Sequence, residues 1–177
     1  MSGFAIYDTA IGACGIAWGE HGIVGSQLPG QDAGATRSRM RHRFPRLAES
    51  PPPEPVTKVI QGVKAMLRGE PVDLSQVALD MTGVSDFHQR VFALARQLQP
   101  GQTTTYGELA QRLGEPGAAR AVGHAMGANP FAPIMPCHRV VGANGEHGGF
   151  SAPGGVLTKL QMLAIERAAP NGQPTLF

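Results

Sequence analysis

The sequence first offers covalent chemistry at Pro136-Cys137-His138-Arg139-Val140, where a cysteine stands beside a histidine. The thiolate is the reactive form of cysteine, and a neighbouring base or positive field makes it available at neutral pH. Taken alone, the dipeptide reads more often as a buried thiol beside an incidental histidine. Its setting favours the reactive reading. Asn129-Pro130 precedes it, a small-residue helix carrying Arg120 lies before that, and Glu166 follows downstream.

The elements that must position these groups are legible around them. Ser85 or Asp86 caps a helix with an apolar stripe of Phe87, Val91, Leu94, Ala95 and Leu98, ended by Pro100-Gly101. Thr105 and Glu108 have capping-box spacing and start a short helix through Arg112. Gly114 to Pro116 is a turn, and a second helix spans about Gly117 to Ala128. Two short helices joined by a tight turn make a helix-turn-helix, a common but unspecific nucleic-acid-binding unit. In the second helix Ala118, Ala119, Ala121, Gly123 and Ala125 leave a face nearly without side chains, from which Arg120 projects. Such a face either packs on another helix or lets the backbone approach a duplex while one arginine enters the stack, as minor-groove proteins do. Pro133 and Pro136 stiffen the approach to Cys137, Val140-Val141 reads as a strand, and Asn144-Gly145 signals a hairpin. A Gly-rich loop, Gly148 to Gly155, leads into a last helix, Val156 to Arg167, with Leu160, Leu163 and Ala164 inward and Lys159 either near the pocket loop or, the preferred reading, solvated.

Upstream, Phe4 to Thr9, Ala13 to Trp18 and Ile23 to Gln27 read as three short strands joined by hairpin turns. Asp32 caps a helix to about Arg46 whose Arg37, Arg39, Arg41, Arg43 and Arg46 read either as a DNA-facing patch or as a solvated face, the second favoured since successive odd positions do not share one side. After Pro51-Pro52-Pro53, Pro55 suits the first turn of a helix to Leu67, and Val72 to Met81 is extended. The composition shifts near Thr82-Gly83, which divides the chain into residues 1–82, an α/β unit, and residues 83–177, a mostly α unit.

Composition bounds the rest. A hydrophobic share of 42% in 177 residues supports a packed core, so global disorder is excluded. The net charge of +2 permits a nucleic-acid partner without arguing for one. Cys14 and Cys137 lie in different halves with no CxxC spacing, which argues against a disulfide framework or a structural zinc site. Cys14 reads as a small buried residue. The sequence has no bilayer-length apolar stretch and no signal-peptide pattern; a reducing cytoplasm suits its thiols.

The ordered set Arg120-Ala121-Val122-Gly123, Asn129-Pro130, Pro136-Cys137-His138-Arg139-Val140, Gly154-Gly155, Lys159 and Glu166 resembles the O6-alkylguanine-DNA alkyltransferases, also called methylated-DNA–protein-cysteine methyltransferases. The resemblance is specific from about Ser85 to Glu166; before that it covers only the strand-turn-strand opening. It implies an RNase-H-like N-terminal domain with a small antiparallel sheet, and a winged-helix-like C-terminal domain. It implies a suicide repair protein, acting as a monomer without a cofactor on double-stranded DNA containing alkylated guanine, entered from the minor groove. Cys137 would take the alkyl group from guanine O6, His138 would receive the thiol proton through a water, and Glu166 would orient His138. Asn129 would hold the turn before the cysteine, and Tyr106 would donate toward guanine N3. The Ser151 backbone would donate to O6, and the Cys137 and Val140 carbonyls would accept from the guanine amino group. Arg120 would fill the gap left by the extruded base, with Ala118, Ala119, Ala121 and Gly123 against the DNA, and Met126 and Phe150 would wall the base pocket. Met126 reads equally as core. Arg139 reads as structural, tying the site strand to a neighbour.

Phe150 stands where members of that family often have tyrosine, and Ala152-Pro153 looks like an insertion in the pocket loop. Two other classes compete. One is a lesion-sensing protein that binds alkylated DNA without repairing it, for which a reactive Cys137 has no use. The other is a cysteine hydrolase with a Cys-His-Glu triad, which leaves Arg120 and its smooth helix without a role.

Overall fold

The structure, a computed structural model, describes residues 1–143 and 152–168. Three strands open the chain: β1 (Gly3–Thr9), β2 (Gly12–Gly19) and β3 (Gly22–Gln27). They pair antiparallel in the order β1-β2-β3. The second turn requires its glycine, because Gly22 has φ of +121° and a Cβ there would meet the Ala78 carbonyl oxygen at 2.6 Å. Short parallel bridges extend both edges, Phe4 to Glu49 and Ile23 to Leu79. The second lies in the segment expected to be extended over Val72 to Met81, which instead turns at residues 75–77, with Val77 N bonded to Leu74 O at 3.3 Å, and pairs only at Leu79.

Helix α1 (Ala33–Arg43) is capped by Asp32, whose carboxylate accepts from Ala35 N at 2.8 Å. It stops three residues short of the expected Arg46. Pro45 disfavours helical geometry at Phe44, which has φ of −127° and ψ of 65°. Helix α2 (Glu54–Leu67) carries Pro55 in its first turn and turns Val56, Ile60, Val63 and Met66 inward. The basic helix α1 is only partly a solvated face. Arg37 and Arg41 pair with Glu49 on one side, whereas Arg43 is half-buried on the other and bonds to backbone carbonyls.

The second half contains α3 (Asp86–Ala95), α4 (Tyr106–Arg112), α5 (Ala119–Gly127) and α6 (Gly155–Ile165). Between them β4 (Thr104–Thr105) pairs in parallel with β5 (Val140–Val141). The partner strand at Thr104 gives no sequence signal, being two threonines. The Asn144-Gly145 turn lies outside the described residues. Ser85 caps α3 by accepting from His88 N. Thr105 caps α4 by accepting from Glu108 N at 3.0 Å. The Glu108 carboxylate does not return to the Thr105 amide; it takes the Thr104 hydroxyl at 2.6 Å instead. Helix α4, the turn at Gly114 and α5 form the helix-turn-helix, and α3 packs behind both. Helix α5 starts at Ala119, later than expected, with Ala118 as its N-cap.

The two halves share one continuous core. Ile16, Trp18, Val63 and Met66 belong to the same buried cluster as Val91, Phe92, Leu109, Val122 and Met162. Full burial of each large apolar side chain contributes ~1.5–3 kcal/mol.

Helix α6 corrects the expected inward face. Of Leu160, Leu163 and Ala164, only Leu163 is buried; Leu160 and Ala164 face outward. Lys159 and Met162 complete the inner stripe, so Lys159 is not solvated but 1% exposed. Gly154 and Gly155, at the helix start, both take left-handed backbone, with φ of 83° and 55°.

Candidate active site

Cys137 opens a single 3-10 turn, Cys137–Arg139, that feeds β5. The turn buries all three side chains: Cys137 at 6%, His138 at 0% and Arg139 at 5% exposure. The approach is fixed from the backbone. Met135 O accepts both Cys137 N at 2.8 Å and Asn129 Nδ2 at 2.9 Å, and Asn129 Oδ1 accepts from Phe131 N at 2.8 Å. Asn129 thus bridges the end of α5 to the residues just before the cysteine.

His138 Nε2 lies 3.0 Å from Glu166 Oε2. Burial would raise the Glu166 carboxyl, but His138 and Arg139 outweigh it and hold the group at about 2. An ionised Glu166 can only accept, so the proton sits on Nε2 and the lone pair on Nδ1. Burial also pushes the His138 imidazolium down, against the pull of Glu166, which keeps the ring neutral at physiological pH. His138 Nδ1 is buried and has no hydrogen-bond partner among the described residues. A neutral imidazole with a fixed tautomer and an unengaged basic nitrogen has the chemistry a general base requires.

Arg139 binds the same carboxylate through two bonds, Nε to Oε1 at 2.9 Å and Nη2 to Oε2 at 2.6 Å. Its Nη1 donates to Leu98 O at 2.7 Å, and Nη2 reaches Met66 Sδ at 3.5 Å. It therefore ties the 3-10 turn to the end of α6, to the segment after α3 and to α2. That is the structural role expected for it.

The Cys137 thiol is raised by burial, with the Asn129 side chain and the Lys159 charge pulling the other way. Lys159 Nζ donates to Val140 O at 2.8 Å and lies 5.9 Å from the centre of the Tyr106 ring. Burial lowers the ammonium to about 8, opposed by Cys137. Tyr106, half-buried at the start of α4, is raised by burial and then by Cys137. Lysine, tyrosine and thiol thus occupy one electrostatic neighbourhood. The Val140 carbonyl already accepts from Lys159 and the Cys137 carbonyl from Val140 N, which leaves each a single lone pair for a ligand.

Two concavities adjoin here and share Gly127 and Ala128. One, of about 340 Å³, reaches Cys137, Met126, Asn129 and Ala152, with Gln27, Arg39 and Arg43 opposite. The other, of about 520 Å³, is an open groove lined by Tyr106, Ala119, Arg120, Gly123 and His124. Met126 is both core and wall, at 4% exposure. Ala121 is exposed but not in the groove lining, and Ala118 packs partly against the core. A Cβ on Gly123 would meet nothing within 4 Å. Packing within the chain therefore gives no reason for a residue that costs a helix about 1 kcal/mol against alanine. Phe150 and Ser151 lie outside the described residues. Among the described residues no His, Cys, Asp and Glu group could hold a metal ion.

The sequence reading missed Lys159, Arg43 and His124. Lys159 had a signal, since it stands three residues before Met162 and four before Leu163 on the apolar stripe. Arg43 had none, because its partners are backbone carbonyls distant in the chain.

A buried thiol, followed in the chain by a histidine held by a carboxylate and set beside a helix-turn-helix with a bare outer face, is suited to reaction with nucleic acid through cysteine. The family model for the DNA-binding domain of 6-O-methylguanine DNA methyltransferase matches residues 86–168. The methylated-DNA–protein-cysteine methyltransferase of Mycobacterium tuberculosis H37Rv is 41% identical over 128 residues, 72% of this chain and 75% of that protein. The protein of that name from Methanothermobacter thermautotrophicus is 34% identical over 125 residues, 71% and 69% of the two chains. Among solved structures, M. tuberculosis OGT in complex with DNA matches with a TM-score of 0.76 at 32% identity, over 95% of this chain and 96% of that one. The O6-methylguanine-DNA methyltransferase of Pyrococcus kodakaraensis KOD1 matches with a TM-score of 0.70 at 25% identity, over 92% and 98%. The chain belongs to the methylated-DNA–protein-cysteine methyltransferase family.

Proposed function

We propose that this protein repairs alkylated DNA directly, by irreversible transfer of an alkyl group from guanine O6 to Cys137. The Sγ–carbon bond forms as the carbon–O6 bond breaks. The thiol proton passes to His138 Nδ1 through one water, and the electron pair returns to the purine. The observation that carries this reading is the burial of Cys137, His138 and Glu166 in one place, with the imidazole bonded to the carboxylate. The thiol is raised by burial and needs a base, and the histidine presents one with the tautomer fixed by a carboxylate 3.0 Å away. Tyr106 donates toward guanine N3, where negative charge develops on departure. Asn129 holds the backbone before the nucleophile. The backbone of Ser151 and the ring of Phe150 complete the pocket with Met126 and Val140. O4-alkylthymine is a second substrate the same chemistry admits. Because the thioether does not hydrolyse, each molecule acts once.

A fixed thiol cannot reach a base inside a duplex, so the nucleotide rotates out at a cost of a few kcal/mol. Ala119 and Gly123 let the α5 backbone approach the minor groove, flanked by Ala118 and Ala121, and Arg120 occupies the vacated place in the stack. We take the chain to act as a monomer in a reducing cytoplasm, without cofactor or metal. Its two parts, residues 1–82 and 83–177, would be an RNase-H-like and a winged-helix-like unit. A purely lesion-sensing role is disfavoured, since binding alone has no use for a thiol with its own base.

The test is the intact mass of the protein after incubation with a duplex carrying O6-methylguanine. One added methyl per chain, mapped to Cys137 and absent in Cys137→Ser, is expected. Release of methanol with repeated turnover would exclude the suicide reaction.

A further inference from the structure

Arg43, the last residue of α1, crosses from the N-terminal sheet to the turn that follows α5. Its Nη2 donates to Pro130 O at 3.1 Å, and its Nη1 donates to Ser26 O at 2.8 Å and to Gln27 Oε1 at 3.0 Å. The same Pro130 carbonyl accepts from Ser26 N at 2.9 Å. Arg39, one turn earlier on α1, steadies Gln27 by donating from Nε to Oε1 at 3.2 Å. The guanidinium stacks over Phe44, 4.9 Å from the ring centre. Gly25 leaves room for both, since a Cβ there would meet Arg43 Nη2 at 3.0 Å and would collide with the Phe44 ring.

We infer that Arg43 is a positioning residue for alkyl transfer: it fixes Pro130, and through it the Asn129 side chain that holds the backbone of Cys137. The relay is short. Pro130 follows Asn129 directly, Asn129 donates to Met135 O at 2.9 Å, and that same oxygen accepts the Cys137 amide at 2.8 Å. Arg43 and Cys137 also line the same cleft. This placement is unlike ordinary helix-face pairing. Arg37 and Arg41 satisfy themselves on Glu49 at the surface, whereas no carboxylate lies within ion-pair distance of Arg43 among the described residues. A half-buried guanidinium without a counter-ion is electrostatically unfavourable. Planar donors aimed at two carbonyls from different parts of the chain offset that disadvantage with geometry that a lysine cannot reproduce. The N-terminal half thereby takes part in setting the nucleophile, although it supplies no reacting atom.

This inference rests on Cys137 being the alkyl acceptor. It is tested with free O6-benzylguanine and the full chain, measuring the saturating alkylation rate constant and the half-saturating concentration separately. Arg43→Lys keeps the charge and loses the fork. Its rate constant is expected to fall about tenfold, as for misplacement of a reacting group by a fraction of an ångström, with the half-saturating concentration little changed. Arg37→Ala, which loses the Glu49 pair on the same helix, is expected to react at the wild-type rate. Gln27→Ala, which weakens the clamp without touching the backbone bonds, is expected to show a smaller fall in the same direction, and decides the matter if Arg43→Lys does not fold. A wild-type rate constant in Arg43→Lys, or an equal loss in Arg37→Ala, would overturn the inference. Failure of the unaltered protein to become alkylated would instead overturn the function proposed above.

Discussion

Replacing Glu166 with glutamine separates two roles of that side chain, because it keeps the shape and removes the charge. Glu166 is 3% exposed at its side chain and receives two bonds from Arg139 and one from His138. A carboxyl held at about 2 instead of an ordinary 4.5 represents roughly 3 kcal/mol of preference for the folded state. The general cost of breaking a buried ion pair by removing one partner, about 3–5 kcal/mol, agrees. The folded value is depressed, so this stabilisation is complete above the unfolded value and is lost as pH falls from 4.5 toward 2. Urea unfolding should therefore find Glu166→Gln about 3 kcal/mol less stable than wild type at neutral pH, with the gap narrowing as the pH falls toward that lower window. The chemical effect should be larger. A glutamine amide can donate to His138 Nε2, which moves the ring proton to Nδ1 and removes the base. By the measured effect of a carboxylate-to-amide change in a Ser-His-Asp triad, the single-turnover rate should drop by about 10⁴. Under conditions where the variant is fully folded, a transfer rate within about tenfold of wild type would refute the proposed tautomer, and with it the role of Nδ1.

Lys159→Met should slow alkyl transfer, since the ammonium is one of the influences drawing the Cys137 thiol down. The folded Lys159 value is depressed from 10.5 to about 8, so wild type should gain stability relative to this variant as pH rises between those values, readable by urea unfolding across that range. Arg120→Ala should slow repair of a lesion within a duplex while Cys137 keeps its rate with free O6-benzylguanine; equal losses with both substrates would contradict a role in base extrusion. Gly123→Ala should raise thermal stability by ~0.5–1 kcal/mol, because the new methyl meets nothing, and should weaken duplex binding in a gel-shift titration.

Much of the molecule was legible because its signals are local. The three N-terminal strands, the Asp32, Ser85 and Thr105 caps, and the helix-turn-helix follow from hydrophobic alternation, turn residues and side-chain oxygens at fixed spacing. The Cys137, His138 and Glu166 set was legible for a different reason. Adjacent residues fix two of its members, and the third was supplied by the resemblance. What stayed hidden is bound to the rest of the chain through backbone atoms, which have no identity in a sequence. The partner of Val140-Val141 is a pair of threonines, and the partners of Arg43 are the carbonyls of Ser26 and Pro130. The inner face of α6 was misjudged because it includes a lysine, Lys159, beside Met162 and Leu163.

Lys159 shows why that misjudgement matters for function. Burial of a lysine is normally a reason to place it outside, and the Leu160 and Ala164 alternative gives a more apolar inner face. The chain instead turns those two outward and places an ammonium in the core, 2.8 Å from the Val140 carbonyl and within electrostatic reach of Cys137. Glu166 at the end of the same helix, its partner Arg139 in the 3-10 turn, and Arg43 across the cleft repeat the pattern. Glu166, Arg139 and Lys159 are withdrawn from water near the thiol, and Arg43 partly so. Each loses hydration and is retained by directed bonds to backbone or to another charge. A cavity built from fixed dipoles and charges does not reorganise as negative charge leaves sulfur and develops on a purine, and that fixity lowers the barrier for a single displacement. A protein that acts once has no turnover to protect, so its active-site region can be as rigid as this arrangement makes it. The cost falls on folding stability rather than on product release.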